Sequence, residues 1–315
     1  MTTLEETLGS DEYDEFALLH ENAEEWGLPF DRPPPVTRLH FELPSRQTVS
    51  YLRWGEEPPE IVFLHGGAQN AHTWDTVVLA LGKPAIAFDL PGHGHSDRRP
   101  DRDYGPWRNA EAIEAALAEL GGPTKVIVGM SLGGVTVIRL AAIRPDLCHR
   151  AVIIDATPQV NDSMRKMTTA ERGSVALIDG PPIYDSFEEM AQAAIALSPL
   201  RAASGVRRGV RHNATRLDDG RWTWRYDLFG GHREDAASQF DFTSLWDDVS
   251  SIQIPTLLVR GGESHFVRDD DVAEMQRRLP SMEVVVVDGA GHAVQSDRPL
   301  ELARLIREFA DPSAA

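Results

Sequence analysis

Short, continuously apolar runs alternate with segments of helical period along most of this chain, and that rhythm constrains the fold more than any other feature. Ile61-Val-Phe-Leu-His65, Ala85-Ile-Ala-Phe-Asp89, Lys125-Val-Ile-Val-Gly-Met130 and Ala151-Val-Ile-Ile-Asp155 lack the polar alternation of a half-exposed strand. Each is predicted to be a strand buried on both faces. Between them Trp74–Leu81, Ala110–Leu120 and Leu132–Ile143 carry helical patterns, the second stopped by Gly121-Gly122-Pro123. Strand then helix, repeated, predicts an α/β fold: a mostly parallel, doubly wound sheet with helices on both faces. Val36–Leu43 and Thr48–Trp54 read as a leading hairpin. The rhythm breaks over residues 157–249, which look mostly helical (Phe187–Leu197, Arg201–His212) with one extended piece at Gly220–Tyr226. That stretch is too long for a bare loop, so it is predicted to be a helical cap inserted before the last two strands. The rhythm resumes with Ile254–Arg260, Asp270–Leu279, Glu283–Asp288 and Leu300–Phe309, giving a core of residues 36–156 and 250–315.

With 42% hydrophobic and 25% charged residues, a chain of 315 residues can bury a core without disulfides or metals. No run approaches the roughly eighteen apolar residues of a membrane span. The first residues lack the basic-then-apolar order of a secretory signal, and the one cysteine, Cys148, has no intramolecular partner. A cytoplasmic location is therefore expected. A net charge of −18 makes nucleic acid a poor partner. Residues 1–31 hold ten Asp or Glu and no Lys or Arg, leaving −8 for the remaining 284 positions. Phe16, Leu18, Leu19, Trp26 and Phe30 interleave with those charges. The acidic N-terminal arm, residues 1–35, is thus expected to be partly helical over about 11–26 and to lie on something. Its purpose, and the oligomeric state, are left open by the sequence.

Two features carry chemistry. Gly129-Met130-Ser131-Leu132-Gly133 places a serine between a strand and a helix, with glycines allowing a tight turn. Such a serine stands at the carboxyl edge of the sheet, where open α/β folds build their sites. A serine needs a base, and Gly289-Ala-Gly-His292 supplies one directly after the last strand.

Together with His65-Gly66-Gly67-Ala68 and the loop Asp89-Leu-Pro-Gly-His-Gly-His-Ser-Asp97, these motifs resemble the α/β-hydrolase fold superfamily over residues 36–310. The resemblance implies Ser131 as nucleophile, His292 as base, and the backbone N–H groups of Gly67 and Leu132 as the oxyanion hole. It implies no metal and no organic cofactor. The acid departs from the family pattern, because Arg260-Gly-Gly-Glu-Ser-His265 puts His265 or Ser264 where Asp is usual. Asp155, at the end of the strand after the nucleophile helix, is taken as the acid, with Glu263 as the alternative. Asp269–Asp271 read as a helix cap. His93-x-His95-x-Asp97 resembles part of a zinc motif, but Arg98 stands where the next His belongs and the glycine-shaped loop explains the same residues. The implied activity is serine-dependent hydrolysis of a carboxylic ester or lactone of an apolar small molecule. Carbon–carbon hydrolysis of a diketone, or a non-catalytic receptor on the same fold, are the alternatives.

Overall fold

The structure is a computed structural model that describes residues 13–120, 123–227 and 241–312. After a short helix α1 (Leu19–Glu25) come β1 (Val36–Glu42), β2 (Thr48–Trp54), β3 (Ile61–Leu64), α2 (Asp75–Leu81) and β4 (Ala85–Phe88). Then follow α3 (Pro106–Glu119), β5 (Val126–Met130), α4 (Leu132–Ile143) and β6 (Ala151–Ile154). Helix α3 starts earlier than its alanine pattern suggested, because Pro106 occupies its first turn, where a missing N–H costs nothing.

The chain next leaves the sheet through α5 (Val160–Lys166), α6 (Thr169–Arg172), β7 (Ile183–Tyr184), α7 (Phe187–Ala196), α8 (Ala203–Asn213), β8 (Ala214–Arg216) and β9 (Trp222–Trp224). It returns with α9 (Leu245–Ser251), β10 (Thr256–Gly261), α10 (Asp269–Arg278), β11 (Glu283–Val287), α11 (Val294–Asp297) and α12 (Pro299–Ala310).

Eight strands form one sheet in the order β1-β2-β4-β3-β5-β6-β10-β11. The leading hairpin and its junction with β4 are antiparallel, and every other pair is parallel. All four residues of β3 are buried, as expected for a strand covered on both faces. Their side chains alternate between two cores. Val62 and Leu64 join Ile113, Ile138 and Leu245 on one side of the sheet, and Ile61 and Phe63 join Trp74, Leu302 and Ile306 on the other.

The secondary structure of the insertion is mostly helical, and the extended piece at Gly220–Tyr226 holds β9, which joins β7 and β8 in a small antiparallel sheet. There Trp224 packs in a separate cluster with Tyr184, Phe187, Met190 and Val206. One boundary is corrected, because the insertion ends before residue 249. Phe242, Leu245, Trp246 and Val249 belong to the main core, and Arg139 on α4 pairs with Asp248 on α9 at 2.8 Å. Apolar period alone cannot say which core a helix joins.

The described part of the acidic arm is anchored, with a helix shorter than the expected 11–26; residues 11 and 12 lie outside the described residues. Leu18 and Leu19 are buried, and Asn22 donates to Thr76 Oγ1 on α2 at 3.2 Å. Glu15 pairs with Arg38 at 2.7 Å and with His72 at 3.0 Å, both in the core. Glu21 and Glu25 pair with Arg208 on α8, and Tyr13 Oη bonds His212 Nδ1 at 2.6 Å. The arm therefore joins core to insertion.

Burial opposes charge on His72, but Asp75 and Glu15 outweigh it and raise its pKa to about 9. Burial likewise opposes charge on Glu15, but hydrogen bonds from His72 and Arg38 hold it down to about 2. A raised histidine adds stability in full below its unfolded value and loses it as pH climbs through the folded one. The melting temperature of the native chain should accordingly fall between pH 6.5 and pH 9, and by less in His72→Gln. Equal falls in both proteins would show that His72 carries none of the tie. At Gly133 a Cβ would lie 2.2 Å from the Leu64 carbonyl oxygen of the neighbouring strand. Gly133→Ala should cost about 3 kcal/mol in urea unfolding, the upper range for overpacking.

Candidate active site

Ser131 ends β5 with φ 51° and ψ −113°, a conformation that L-residues rarely hold. Packing leaves it little choice. A Cβ on Gly129 would meet the Gly133 carbonyl oxygen at 2.2 Å, so the turn closes only with glycine on both sides of the serine. The turn is tied down by Ser131 N–H to the Ile154 carbonyl and Gly133 N–H to the His65 carbonyl, both at 3.0 Å. Leu132 opens α4, so its N–H is one of the amides that a helix cannot satisfy internally.

The second wall is the loop after β3. Buried His65 accepts from Leu90 N–H at Nε2, 2.9 Å, which leaves Nδ1 to donate to the Gly66 carbonyl at 2.7 Å. Burial, with His93 nearby, holds its pKa down to about 3, so the ring is neutral. Gln69 Oε1 accepts the Gly66 N–H at 3.1 Å, and Ala68 sits at φ 61°. With the loop shaped this way, the N–H groups of Gly67 and Leu132 have no acceptor among the described residues.

His292 follows β11, and its Nδ1 lies 2.7 Å from Asp155 Oδ2. A carboxylate only accepts, so Nδ1 donates and Nε2 is left free. Asp155 is fully buried, at φ 47°, and its carboxylate also accepts from Gly261 N–H at 3.1 Å and from Ser264 Oγ–H. Phe266 stacks on the imidazole with ring centroids 3.6 Å apart and planes 14° from parallel. Asp297 Oδ2 accepts the Gly291 N–H at 2.9 Å, fixing the loop that carries His292. Ser131 Oγ has no hydrogen-bond partner among the described residues. Such bonds commonly tighten only with substrate in place.

The structure thus brings His292 to Asp155 and not to Glu263. Glu263 is exposed on the loop after β10, held by its backbone N–H to the Ala290 carbonyl at 2.9 Å. His265 is exposed as well. Asp269 pairs with Arg260, and Asp271 caps α10 by accepting the Arg268 N–H at 3.1 Å. Sequence reasoning passed over Ser264 and Phe266. The one signal for Ser264 was its place where the usual acid would stand, and nothing in the pattern marked Phe266.

His93 Nδ1 and Asp97 are engaged separately, while Nε2 of His93 and of His95 is buried without a hydrogen-bond partner among the described residues. His93 Nδ1 donates to the Pro91 carbonyl at 3.0 Å, and Asp97 accepts the Thr48 N–H at 2.8 Å. A different group, His72, Asp75 and His212, has ligand atoms within 4.8 Å of one another. Its donors are already committed: His72 to Asp75 and Glu15, His212 Nδ1 to Tyr13. Burial pushes the Cys148 thiol up to about 12, which leaves it unreactive.

A family model for the α/β hydrolase fold matches residues 59–299. The chain belongs to that family. Among curated α/β-hydrolase relatives, the esterase Rv0045c of Mycobacterium tuberculosis is 47% identical over 95% of this chain and 96% of its own length. The sn-1-specific diacylglycerol lipase ABHD11 of Mus musculus is 28% identical over 80% of each. A solved structure of the Mycobacterium tuberculosis esterase superposes with a TM-score of 0.82, covering 95% of this chain and 99% of that one. Among the described residues no helix is long and apolar enough to cross a membrane.

A histidine Nδ1–H donated to a carboxylate resonates far downfield in proton NMR. That signal should be present in the native protein, absent in Asp155→Asn and retained in Glu263→Gln. Loss in the Glu263 variant alone would move the partner of His292 to Glu263.

Proposed function

We propose that this chain is a serine esterase that cleaves a small-molecule carboxylic ester or lactone through an acyl-enzyme on Ser131. The observation that carries the reading is the 2.7 Å hydrogen bond from His292 to a buried Asp155, set beside a serine in a strained strand-to-helix turn. A base oriented by a buried carboxylate is what a serine nucleophile requires. Ester hydrolysis as the reaction is supported by the 47% identical esterase.

With Nδ1 donating to Asp155, the free Nε2 of His292 takes the Ser131 proton as Oγ attacks the acyl carbon. Asp155 stabilises the imidazolium so formed and keeps the ring in its productive tautomer. The tetrahedral oxyanion falls between the N–H groups of Gly67 and Leu132. Each donor is worth about 3–4 kcal/mol of barrier, because it is fixed in place before the charge develops. Collapse expels the alcohol, which receives the proton from His292. Water, deprotonated by the same Nε2, then attacks the acyl-enzyme and frees the acid. Residues of the arm, of the loop after β3, of the insertion and of α11 line a cavity of about 390 Å³ that shares Gly67 with this site but not Ser131 or His292; its size suits a small molecule. On this reading the insertion acts as a cap.

A fluorophosphonate should add once to the native protein and not at all to Ser131→Ala, by intact mass. Asp155→Asn should lower kcat about 10⁴-fold, as loss of the orienting carboxylate does in other serine hydrolases. Glu263→Gln should leave kcat unchanged. No adduct with either a fluorophosphonate or a smaller sulfonyl fluoride would overturn catalysis in favour of a receptor.

A further inference from the structure

The cavity beside Gly67 is lined by four cationic side chains, His72, Arg201, Arg208 and Arg298, against two carboxylates, Glu25 and Asp297. Three of the cations are engaged. His72 is held between Asp75 and Glu15, Arg208 by Glu21 and Glu25, and Arg298 Nη1 donates to the Asp297 carbonyl at 3.0 Å. The guanidinium of Arg201 has no hydrogen bond and no ion pair among the described residues. Glu25 faces Arg208, and Asp297 holds the Gly291 N–H, so neither carboxylate comes within ion-pair distance of Arg201. Both act on it only across space, and burial still draws its pKa below the ordinary guanidinium value.

Arg201 lies in the turn between α7 and α8, its backbone N–H bonded to the Ser198 carbonyl at 3.1 Å. Ser198 also lines the cavity, and its hydroxyl is buried with no partner. The same turn abuts the loop that carries His292: a Cβ on Gly291 would lie 3.5 Å from Leu200 Cδ1. Arg201 is partly exposed to the cavity, with Glu25 and Asp297 as its nearest counter-charges and neither in ion-pair contact. A guanidinium with its donors unspent in a cavity wall offers a planar fork, the complement of a carboxylate.

We propose that Arg201 binds a carboxylate carried by the substrate, so that the preferred ester is an anionic one with its carboxylate a few carbons from the scissile bond. This replaces the apolar ligand expected from the sequence, and it rests on the esterase reading above. The acyl or the alcohol half can carry the anion. The arrangement makes Arg201 a specificity residue and gives it no part in the chemical steps.

The test uses two matched pairs in a pH-stat: monomethyl adipate against methyl hexanoate, and 4-acetoxybutanoate against butyl acetate. In one pair the native enzyme should favour the anion. Arg201→Gln should lower kcat/KM for that anion about 10- to 100-fold, the range for one hydrogen-bonded charge, mainly through KM. The neutral ester should be unaffected, and Arg201→Lys should recover part of the loss. Equal losses on both members of a pair, or no preference in either pair, would overturn the proposal. Calorimetry with adipate dianion separates this from failure of the esterase reading. Should neither native protein nor Ser131→Ala turn over any ester, native binding of adipate that Arg201→Gln weakens tenfold or more would uphold the subsite without the reaction. Absence of that binding would reject the subsite whatever the neutral esters do.

Discussion

A fully buried carboxylate is among the most expensive groups a protein can hold, and the geometry around Asp155 shows how the cost is met. Three donors converge on it from two segments: Gly261 N–H at the end of β10 and Ser264 Oγ in the loop directly beyond, and His292 Nδ1 after β11. Each lies at the carboxyl edge of the sheet, so adjacent parallel strands β6, β10 and β11 are what make the convergence possible. The carboxylate in turn sets the imidazole tautomer, and Phe266 fixes the plane of the ring. Pull Asp155 out of this arrangement and two loops lose a common anchor, which is why the site and the sheet edge have to be understood as one structure.

The strained backbone at the site follows from the same crowding. Ala68, Ser131 and Asp155 all hold positive φ without being glycine, and all three sit where a strand ends at this edge. Such strain persists only where surrounding contacts over-determine it. Here they do: Gly129 and Gly133 permit approach to within backbone contact, and Ser131 and Asp155 each spend their N–H on a neighbouring strand's carbonyl. A second tier of polar groups steadies the rim. Asp89, fully buried, accepts Ala71 N–H at 2.7 Å, His95 N–H at 3.0 Å and Arg38 Nη1 at 2.6 Å, tying the loop after β4 to the oxyanion loop's own continuation.

What could be read from sequence was whatever local chemistry dictates. The buried strands announced themselves because a run such as Ile61–Leu64 has no polar alternation, and the serine because its flanking glycines answer a steric demand within five residues. Asp155 could be put forward, with Glu263 beside it, because a histidine or serine filled the usual place and the resemblance admits an acid at the end of the strand after the nucleophile helix. The contribution of Ser264 was invisible because it acts through a contact 109 residues away in sequence. Of the small sheet of the insertion only β9 was marked as extended; β7 and β8 escaped notice because two- and three-residue strands carry too little pattern to distinguish from loop. Helix α9 was assigned to the wrong unit because an amphipathic face says that something is covered and not what covers it.

The arm and the cavity show why net charge is a poor guide to ligands. A chain at −18 repels polyanions at a distance, and that argument against nucleic acid stands on long-range field alone. At physiological salt the field of exposed carboxylates fades over about 8 Å, whereas an enclosed charge is barely screened. Three of the described acids of the arm are in any case spent locally: Glu15 on Arg38 and His72, Glu21 and Glu25 on Arg208. They neutralise the cations nearest to them and leave Arg201, two residues before α8, without an ion pair among the described residues. An acidic surface and a cationic cavity are therefore compatible.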